Sequence, residues 1–204
     1  MTLELEGFKL QWSSMHGNAD TSGIVGLWLA VSFRCARVCT FLRITPNSLT
    51  LLGVVSAVAT AIVSPHLWSV PFLALSLIFD GVDGSVAIIQ KRVSSRGAIW
   101  DAIADRISEI CWAIAFYRIG IPLLWILAAA TVAAIQEYAR ARLSAAGVKE
   151  VGVVTPAERP VRASFLFCAL IVPHAFSLPL LIALVFLQGL SFILVLRFAF
   201  SKLH

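Results

Sequence analysis

The chain has 204 residues, of which 59% are hydrophobic and only 13% are charged, and its mean hydropathy is +0.90. A soluble domain of this length carries roughly a quarter charged residues. The composition therefore excludes an ordinary soluble globular protein and predicts an integral membrane protein, and the net charge of +5 gains meaning once it is placed relative to the apolar segments.

The N-terminal part of the chain divides into two segments before the long apolar stretches begin. Residues 1–22 are polar and mixed, without the basic start and apolar core of a signal peptide, and we interpret them as a poorly ordered leader. Segment 23–43 carries Arg34 and Arg37 among apolar residues at helical spacing, which is typical of an amphipathic helix lying in the membrane interface. A membrane span is the alternative, although it would place both arginines inside the bilayer.

The remaining segment, 44–204, is predicted to be one domain of six transmembrane helices. Apolar stretches of about 17 to 25 residues cross a bilayer, and such stretches lie at 47–64, 67–90, 98–118, 122–144, 160–181 and 183–200. The third and fourth carry charge near one end, so five spans is an open alternative.

The distribution of basic residues supports the count of six. With six spans, every lysine and arginine except Arg118 falls on one side of the membrane. The positive-inside rule makes that side cytoplasmic. The sequence therefore predicts an all-α integral protein of the cell (inner) membrane, with six transmembrane helices preceded by an interfacial amphipathic helix.

Two pairs of carboxylates interrupt the second and third predicted spans. Asp80 and Asp83 are three residues apart and Asp101 and Asp105 are four apart, so each pair shares a helix face. A hairpin turning at residues 91–97 would bring the pairs together, where they repel one another unless cations neutralise them. Mg²⁺ and Mn²⁺ are the hard cations that prefer oxygen ligands. From the residues alone, a metal-dependent enzyme, a transporter with an acidic relay and structural ion pairing all remain open.

Residues 80–105 also resemble the signature of the CDP-alcohol phosphatidyltransferase family, D-x2-D-G-x2-A-R-x8-G-x3-D-x3-D. Seven of its eight fixed positions are matched, namely Asp80, Asp83, Gly84, Ala87, Gly97, Asp101 and Asp105. At the eighth, Ile88 stands in place of arginine. Further along, Glu137–Arg142 and Glu158–Pro160 resemble the actinobacterial phosphatidylinositol-phosphate synthase branch of the family.

The resemblance implies an enzyme that moves a phosphatidyl group from CDP-diacylglycerol to a hydroxyl of a polar acceptor and releases CMP. The implied acceptor is a phosphorylated alcohol, preferably inositol phosphate, and glycerol 3-phosphate is the alternative within the family. A cation- or proton-coupled transporter is the alternative of a different class. The implied enzyme works on the bilayer as a homodimer, with its site facing the cytoplasm and with no nucleic-acid partner.

The resemblance also implies roles for individual residues. Asp105 is the implied catalytic base, and two Mg²⁺ or Mn²⁺ ions are expected on Asp80, Asp83, Asp101 and Asp105. The implied donor site comprises Asp83, Gly84, Ala87 and Gly97, and the acceptor-phosphate site comprises Arg140, Arg142, Arg159 and Arg162. We add Arg92 to the donor site, because on a continuing helix it lies one turn beyond Ile88 on the same face. On that hypothesis, Ile88→Arg leaves turnover intact or improves it.

Overall fold

The structure is a computed structural model that describes residues 4–15, 17, 19–148 and 155–202. These residues form eight α-helices and a 3-10 turn and contain no strand. The helices are α1 (Leu5–Met15), α2 (Gly23–Phe41), α3 (Pro46–Val63), α4 (Ser69–Ile89), α5 (Ser95–Arg118), α6 (Leu123–Ala145), α7 (Arg159–Ile171) and α8 (Ser177–Lys202), and the 3-10 turn is His174–Phe176. The predicted all-α class is confirmed.

Among the described residues, four helical segments are long and apolar enough to cross a membrane by length and composition. They are Gly23–Phe41, Pro46–Val63, Ser69–Ile89 and His174–Lys202. The helices α5 and α6 are long enough, at 24 and 23 residues, but charged residues lower their hydropathy. The predicted count of six spans and the interfacial position of α2 therefore stay predictions.

The chain folds into two compact units. The first combines the chain up to Ser56 with Leu75–Asp105, and the second combines Ala57–Ala74 with the chain from Arg106 onward. The first unit thus holds the whole segment from Asp80 to Asp105, whereas the arginines of the predicted acceptor site belong to the second.

In the first unit, part of the predicted leader is an ordered helix. Phe8 of α1 is fully buried, and its ring centroid lies 5.3 Å from that of Phe33 on α2. Leu29 and Ile88 complete this apolar cluster. The expectation of a poorly ordered leader is therefore wrong for residues 5–15, because the contacts of Phe8 anchor a segment whose average composition is polar.

In the second unit, the boundaries of the last two predicted spans are wrong. The helix α7 ends at Ile171 after 13 residues, ten residues before the predicted end of its span. Val172 is extended, with ψ of 160°, because a residue that precedes proline, here Pro173, is disfavoured in the helical region. The next long helix begins at Ser177, so α8 absorbs the end of the predicted span 160–181.

Candidate active site

The acidic motif lies on α4 where that helix approaches α3 closely. A Cβ atom at Gly53 of α3 would lie 3.4 Å from the carbonyl oxygen of Ser76 and 3.7 Å from the backbone nitrogen of Asp80, which is ordinary van der Waals contact. The backbone of α3 at Gly53 therefore lies directly beside the part of α4 that carries the first carboxylate.

Three of the four predicted carboxylates converge within the first unit. Asp80 on α4 and Asp101 and Asp105 on α5 each offer one oxygen, and these oxygens all lie within 4.8 Å of one another. All three side chains are partly buried. The hairpin turn expected between the two pairs is present, since α4 ends at Ile89 and α5 begins at Ser95.

The donor set of this acidic cluster fits a hard divalent cation. Oxygens bound to one Mg²⁺ at about 2.1 Å lie roughly 3 to 4 Å apart, so small side-chain rotations bring the three oxygens into one coordination shell. Three clustered carboxylates also carry a negative charge that a divalent cation offsets. The assignment of the residues as metal ligands stays a prediction.

Asp83 lies outside that group of three. Its carboxyl group is buried, and Thr50 on α3 donates a hydrogen bond to Asp83 Oδ2 across 2.5 Å. Asp80 and Asp83 were predicted to share a helix face and to contribute to one site, but only Asp80 belongs to the acidic cluster. Thr50 ties Asp83 to α3, while the other oxygen of Asp83 retains its capacity to accept a further ligand.

The glycines of the motif have different surroundings. A Cβ atom at Gly81 would lie 2.6 Å from the indole of Trp28, whereas one at Gly84 meets no atom within 4 Å. Gly81 therefore accommodates Trp28 of α2, and Gly84 leaves open space beside the motif. The backbone nitrogen of Gly97 donates to Ser94 Oγ across 3.1 Å, so that Ser94 caps the start of α5. Ala87 is partly buried.

The structure does not support the geometric reason for assigning Arg92 to the donor site. Lys91 has a φ of 55°, and the backbone nitrogen of Arg92 donates to the carbonyl oxygen of Ala87. This is the hydrogen bond of a Schellman motif, which ends the helix. Arg92 is exposed beyond that end, while Ile88 is buried against α1 and α2. The expectation that the two residues share a helix face is wrong, and a donor role for Arg92 stays a prediction.

In the second unit, the predicted acceptor residues Arg140 and Arg162 form ion pairs with glutamates. Arg140 binds Glu158 through both Nη atoms, at 2.9 and 2.6 Å. Arg162 is almost fully buried, and its Nη2 lies 2.8 Å from Glu109 Oε1 and 3.1 Å from Glu137 Oε1. Together with the Arg106–Glu109 pair at 2.7 Å and the Arg140–Glu137 pair at 4.0 Å, these contacts form one arginine–glutamate network. Its members are Arg106, Glu109, Glu137, Arg140, Glu158 and Arg162.

The other two arginines have different environments. The guanidinium of Arg159 lies over the ring of Trp112, 5.3 Å from the ring centroid, in a cation–π contact. Arg142 is exposed on the last turn of α6. All four arginines lie in the second unit, and their role in binding an acceptor stays a prediction.

Sequence reasoning missed the acidic partners of these arginines. Glu109 lies four residues after Asp105 on the same helix, and its place on the face of a predicted metal ligand was a usable signal. Glu158 precedes α7 and also accepts hydrogen bonds from the backbone and hydroxyl of Thr155, both across 2.8 Å. Burial alone would raise the pKa of the Glu158 carboxyl, but the hydrogen bonds from Arg140 and Thr155 outweigh burial and lower the pKa to about 2.

Comparisons with known proteins agree with the motif. The family model described as CDP-alcohol phosphatidyltransferase matches residues 43–201. An archaetidylinositol phosphate synthase of Aeropyrum pernix is 34% identical over 122 residues, which are 57% of this chain and 62% of the relative. A phosphatidylinositol phosphate synthase of Corynebacterium glutamicum is 38% identical over 72 residues, which are 33% of each chain. The chain thus spans less than two thirds of the length of these curated relatives.

Solved structures share the fold. The phosphatidylinositol phosphate synthase of Mycobacterium tuberculosis with CDP-DAG bound superposes with a TM-score of 0.65 at 22% identity, covering 84% of this chain and 93% of that one. The same enzyme in complex with manganese and citrate gives a TM-score of 0.61 at 22% identity, covering 83% and 88%. At this level of identity the likeness shows a common fold. Because the family match covers most of the chain and includes the whole segment from Asp80 to Asp105, the chain belongs to the CDP-alcohol phosphatidyltransferase family.

Proposed function

We propose that this protein transfers a phosphatidyl group from CDP-diacylglycerol to a hydroxyl of inositol phosphate and releases CMP. The observation that carries the proposal is the acidic cluster of Asp80, Asp101 and Asp105, formed by the motif of the family to which the chain belongs. An intramembrane cluster of this kind is costly without a cation, and a metal-dependent reaction on a pyrophosphate accounts for it.

The chemistry follows from the residues of the cluster. Asp105 accepts the proton of the acceptor hydroxyl, whose oxygen attacks the phosphorus attached to the lipid. A new phosphorus–oxygen bond forms, the bond to the phosphate of CMP breaks, and CMP leaves with the bonding electrons. Asp80, Asp101 and Asp105 would hold a Mg²⁺ or Mn²⁺ ion, and a second ion would use Asp83. When bound, such ions neutralise the pyrophosphate and the negative charge that develops during transfer.

The space beside the motif helix supports a donor role for its small residues. Gly84 has no neighbouring atom that a Cβ would meet within 4 Å, so a nucleotide or pyrophosphate can approach the backbone there. Gly97 and Ala87 are the other small residues of the proposed donor site. Arg92, which is exposed in the turn after α4, is the cationic candidate.

Inositol phosphate is preferred as acceptor because the relatives in the comparison are named for inositol phosphate lipids. Arg140, Arg142, Arg159 and Arg162 are the proposed phosphate ligands. Arg142 is exposed and Arg159 lies over Trp112, whereas Arg140 and Arg162 pair with glutamates. Arginine suits this task because its planar guanidinium binds a phosphate through two parallel hydrogen bonds.

We further propose that the six helices α3 to α8 form the membrane domain, that α2 lies in the inner interface, and that the site faces the cytoplasm. The one-sided distribution of lysine and arginine supports this orientation. A reporter fused to the C-terminus that is active only in the cytoplasm tests it, and an inactive fusion contradicts it. A homodimer is also proposed, and the mass of the detergent-solubilised protein from light scattering tests that assembly.

The activity is tested by incubating the purified chain with CDP-diacylglycerol and one acceptor at a time. The acceptors are inositol phosphate, free inositol and glycerol 3-phosphate, and the products are CMP and the lipid identified by mass spectrometry. We expect turnover with inositol phosphate that requires Mg²⁺ or Mn²⁺. A lipid product from glycerol 3-phosphate alone would contradict the proposed acceptor, and a lack of CMP release with every acceptor would contradict the proposed reaction.

A pair of matched variants makes the assay specific to the cluster. Asp105→Asn is expected to lower turnover by about 10² to 10⁴-fold, the usual contribution of a positioned base. Asp20→Asn removes a carboxylate outside the acidic cluster and should leave turnover unchanged. Equal activity of both variants would contradict the role of Asp105.

A further inference from the structure

The second unit contains a cavity that the proposed reaction does not use. It lies where the turns α3–α4, α5–α6 and α7–α8 meet and has a volume of about 360 Å³. Its wall includes Pro65, Arg118, Gly120, Leu170, Val172 and His174. The cavity thus combines two nitrogen-bearing side chains with an apolar wall.

Arg118 is the cationic group of this cavity. It is the last residue of α5, and its Nε donates to the carbonyl oxygen of Ser64 across 2.6 Å. That bond fixes the plane of the guanidinium and leaves the Nη groups for another acceptor. Within the ranges that the structure describes, Arg118 forms no ion pair, unlike Arg140 and Arg162 in the same unit. The wall of the cavity thus carries a positive charge that pairs with no carboxylate of the described residues.

His174 is the second polar group and is held against the turn after α5. Gly120 has a φ of +88°, and a Cβ atom there would lie 2.6 Å from His174 Nε2. Only a residue without a side chain permits both the positive φ and the position of the imidazole. The α5–α6 turn and the 3-10 turn therefore pack together and place His174 in the wall that also contains Arg118.

The surroundings of the cavity indicate a lipid environment. Leu67 and Trp68 in the α3–α4 turn and Phe176 in the 3-10 turn are exposed. Exposed aromatic side chains at the ends of apolar helices are typical of the membrane–water interface. A ligand in this position meets a cation and an imidazole at one end and apolar groups at the other.

We propose that this cavity binds the phosphate of a phospholipid headgroup. The guanidinium of Arg118 binds the phosphate oxygens through its Nη groups, and His174 contributes a further hydrogen bond. The apolar wall formed by Leu170 and Val172 contacts the glycerol and the upper acyl chain. This site shares no residue with the acidic cluster, so loss of the lipid site and loss of the proposed reaction are separable outcomes.

The test measures lipid binding to the delipidated full chain in detergent by native mass spectrometry. The probes are phosphatidylglycerol, phosphatidylcholine and inorganic phosphate as a soluble competitor. We expect phosphatidylglycerol to bind, and Arg118→Gln to weaken binding by about tenfold or more, as loss of a charged hydrogen bond predicts. Arg197→Gln removes an exposed arginine of α8 that does not line the cavity, and it should leave the affinity unchanged.

The outcomes separate the possible ligands. Equal affinity of Arg118→Gln and the unchanged protein for phosphatidylglycerol overturns the proposal, as does an equal loss in Arg197→Gln. Full competition by inorganic phosphate at equal concentration also overturns it, because the cavity would then bind free phosphate rather than a lipid. If Arg118→Gln does not fold, the same measurement is made with His174→Ala. Weaker binding of phosphatidylglycerol to this variant supports the lipid site, and unchanged binding overturns it.

Discussion

Ile88 on α4 and Phe8 on α1 lie in one buried apolar cluster, which also includes Leu29 and Phe33 of α2. Ile88 occupies the position at which the family signature has arginine. In this chain that position therefore belongs to the apolar cluster that α1, α2 and α4 share. The exception in the motif has a structural counterpart, because a position buried among apolar side chains favours an apolar residue.

The variant Ile88→Arg is expected to destabilise the protein, in contrast to the hypothesis based on Arg92. Ile88 is 2% exposed, so an arginine there would bury a charge without a partner, and we expect a loss of about 3 kcal/mol or more. Thermal unfolding in detergent measures it. Ile88→Leu, a swap of equal volume, should cost less than about 1.5 kcal/mol, and an Ile88→Arg protein as stable as the Leu variant would contradict the packing argument.

Alanine at Gly81 and at Gly84 should have opposite effects on folding. Gly81→Ala displaces Trp28, because the new Cβ would lie 2.6 Å from the indole, and since Trp28 is 42% exposed and can turn outward we expect a loss of about 1 kcal/mol. Gly84→Ala meets no neighbour within 4 Å and should stabilise α4 by up to about 1 kcal/mol. Unfolding midpoints measure both effects.

The same two variants separate packing from donor binding. Adding Trp28→Ala to Gly81→Ala should remove the penalty in a double-mutant cycle. Gly84→Ala should raise the KM for CDP-diacylglycerol although it folds well, since its methyl group enters the proposed donor space. An unchanged KM in Gly84→Ala would show that the donor does not approach this glycine.

Loss of Glu109 should cost much more than loss of an exposed glutamate. Arg162 is 5% exposed and lies 2.8 Å from Glu109, so Glu109→Gln leaves a buried cation that Glu137 compensates only in part. We expect a loss of about 2 to 3 kcal/mol. The control is Glu6→Gln, which breaks the exposed Lys9–Glu6 pair at 3.2 Å and should cost at most about 0.5 kcal/mol. Equal losses would show that the network does not stabilise the fold.

The stability of the protein should fall in acid through Glu158. Its pKa is lowered from 4.5 to about 2 in the folded state, so the folded state binds fewer protons than the unfolded state. The resulting stabilisation is complete above pH 4.5 and is lost as the pH falls towards 2. The difference in unfolding temperature between the unchanged protein and Glu158→Gln should therefore shrink between pH 5 and pH 2.5. A constant difference over this range would contradict the assignment.

The helical class and the convergence of the carboxylates could be predicted because both follow from local periodicity. Spacings of three and four residues place carboxylates on one helix face, and the basic turn between the pairs indicates a hairpin. Local periodicity could not predict which of the four carboxylates join the acidic cluster. Asp83 differs from Asp80 because Thr50, 33 residues earlier in the chain, donates to it, and a tertiary contact of this kind has no local signature.

The sequence-based predictions were wrong where one local contact or backbone conformation, rather than the average composition of a segment, determines its structure. The docking of α1 depends on Phe8, and the end of α4 depends on Lys91 at positive φ, a conformation that glycine or asparagine would have signalled more clearly. The boundary between α7 and α8 was misplaced because hydropathy stays high across it, although Pro173 marked the helix end. Hydropathy thus predicts membrane character better than it predicts helix boundaries.

The arginine–glutamate network has a consequence for the acceptor. Among the described residues it joins the guanidinium groups of three arginines to the carboxylates of three glutamates. On the proposed acceptor role, an incoming phosphate binds the guanidinium of Arg140 or Arg162 only by displacing a carboxylate that already pairs with it. Selectivity for a phosphorylated alcohol would then be a competition between two anions, the phosphate and the glutamate, for the same guanidinium.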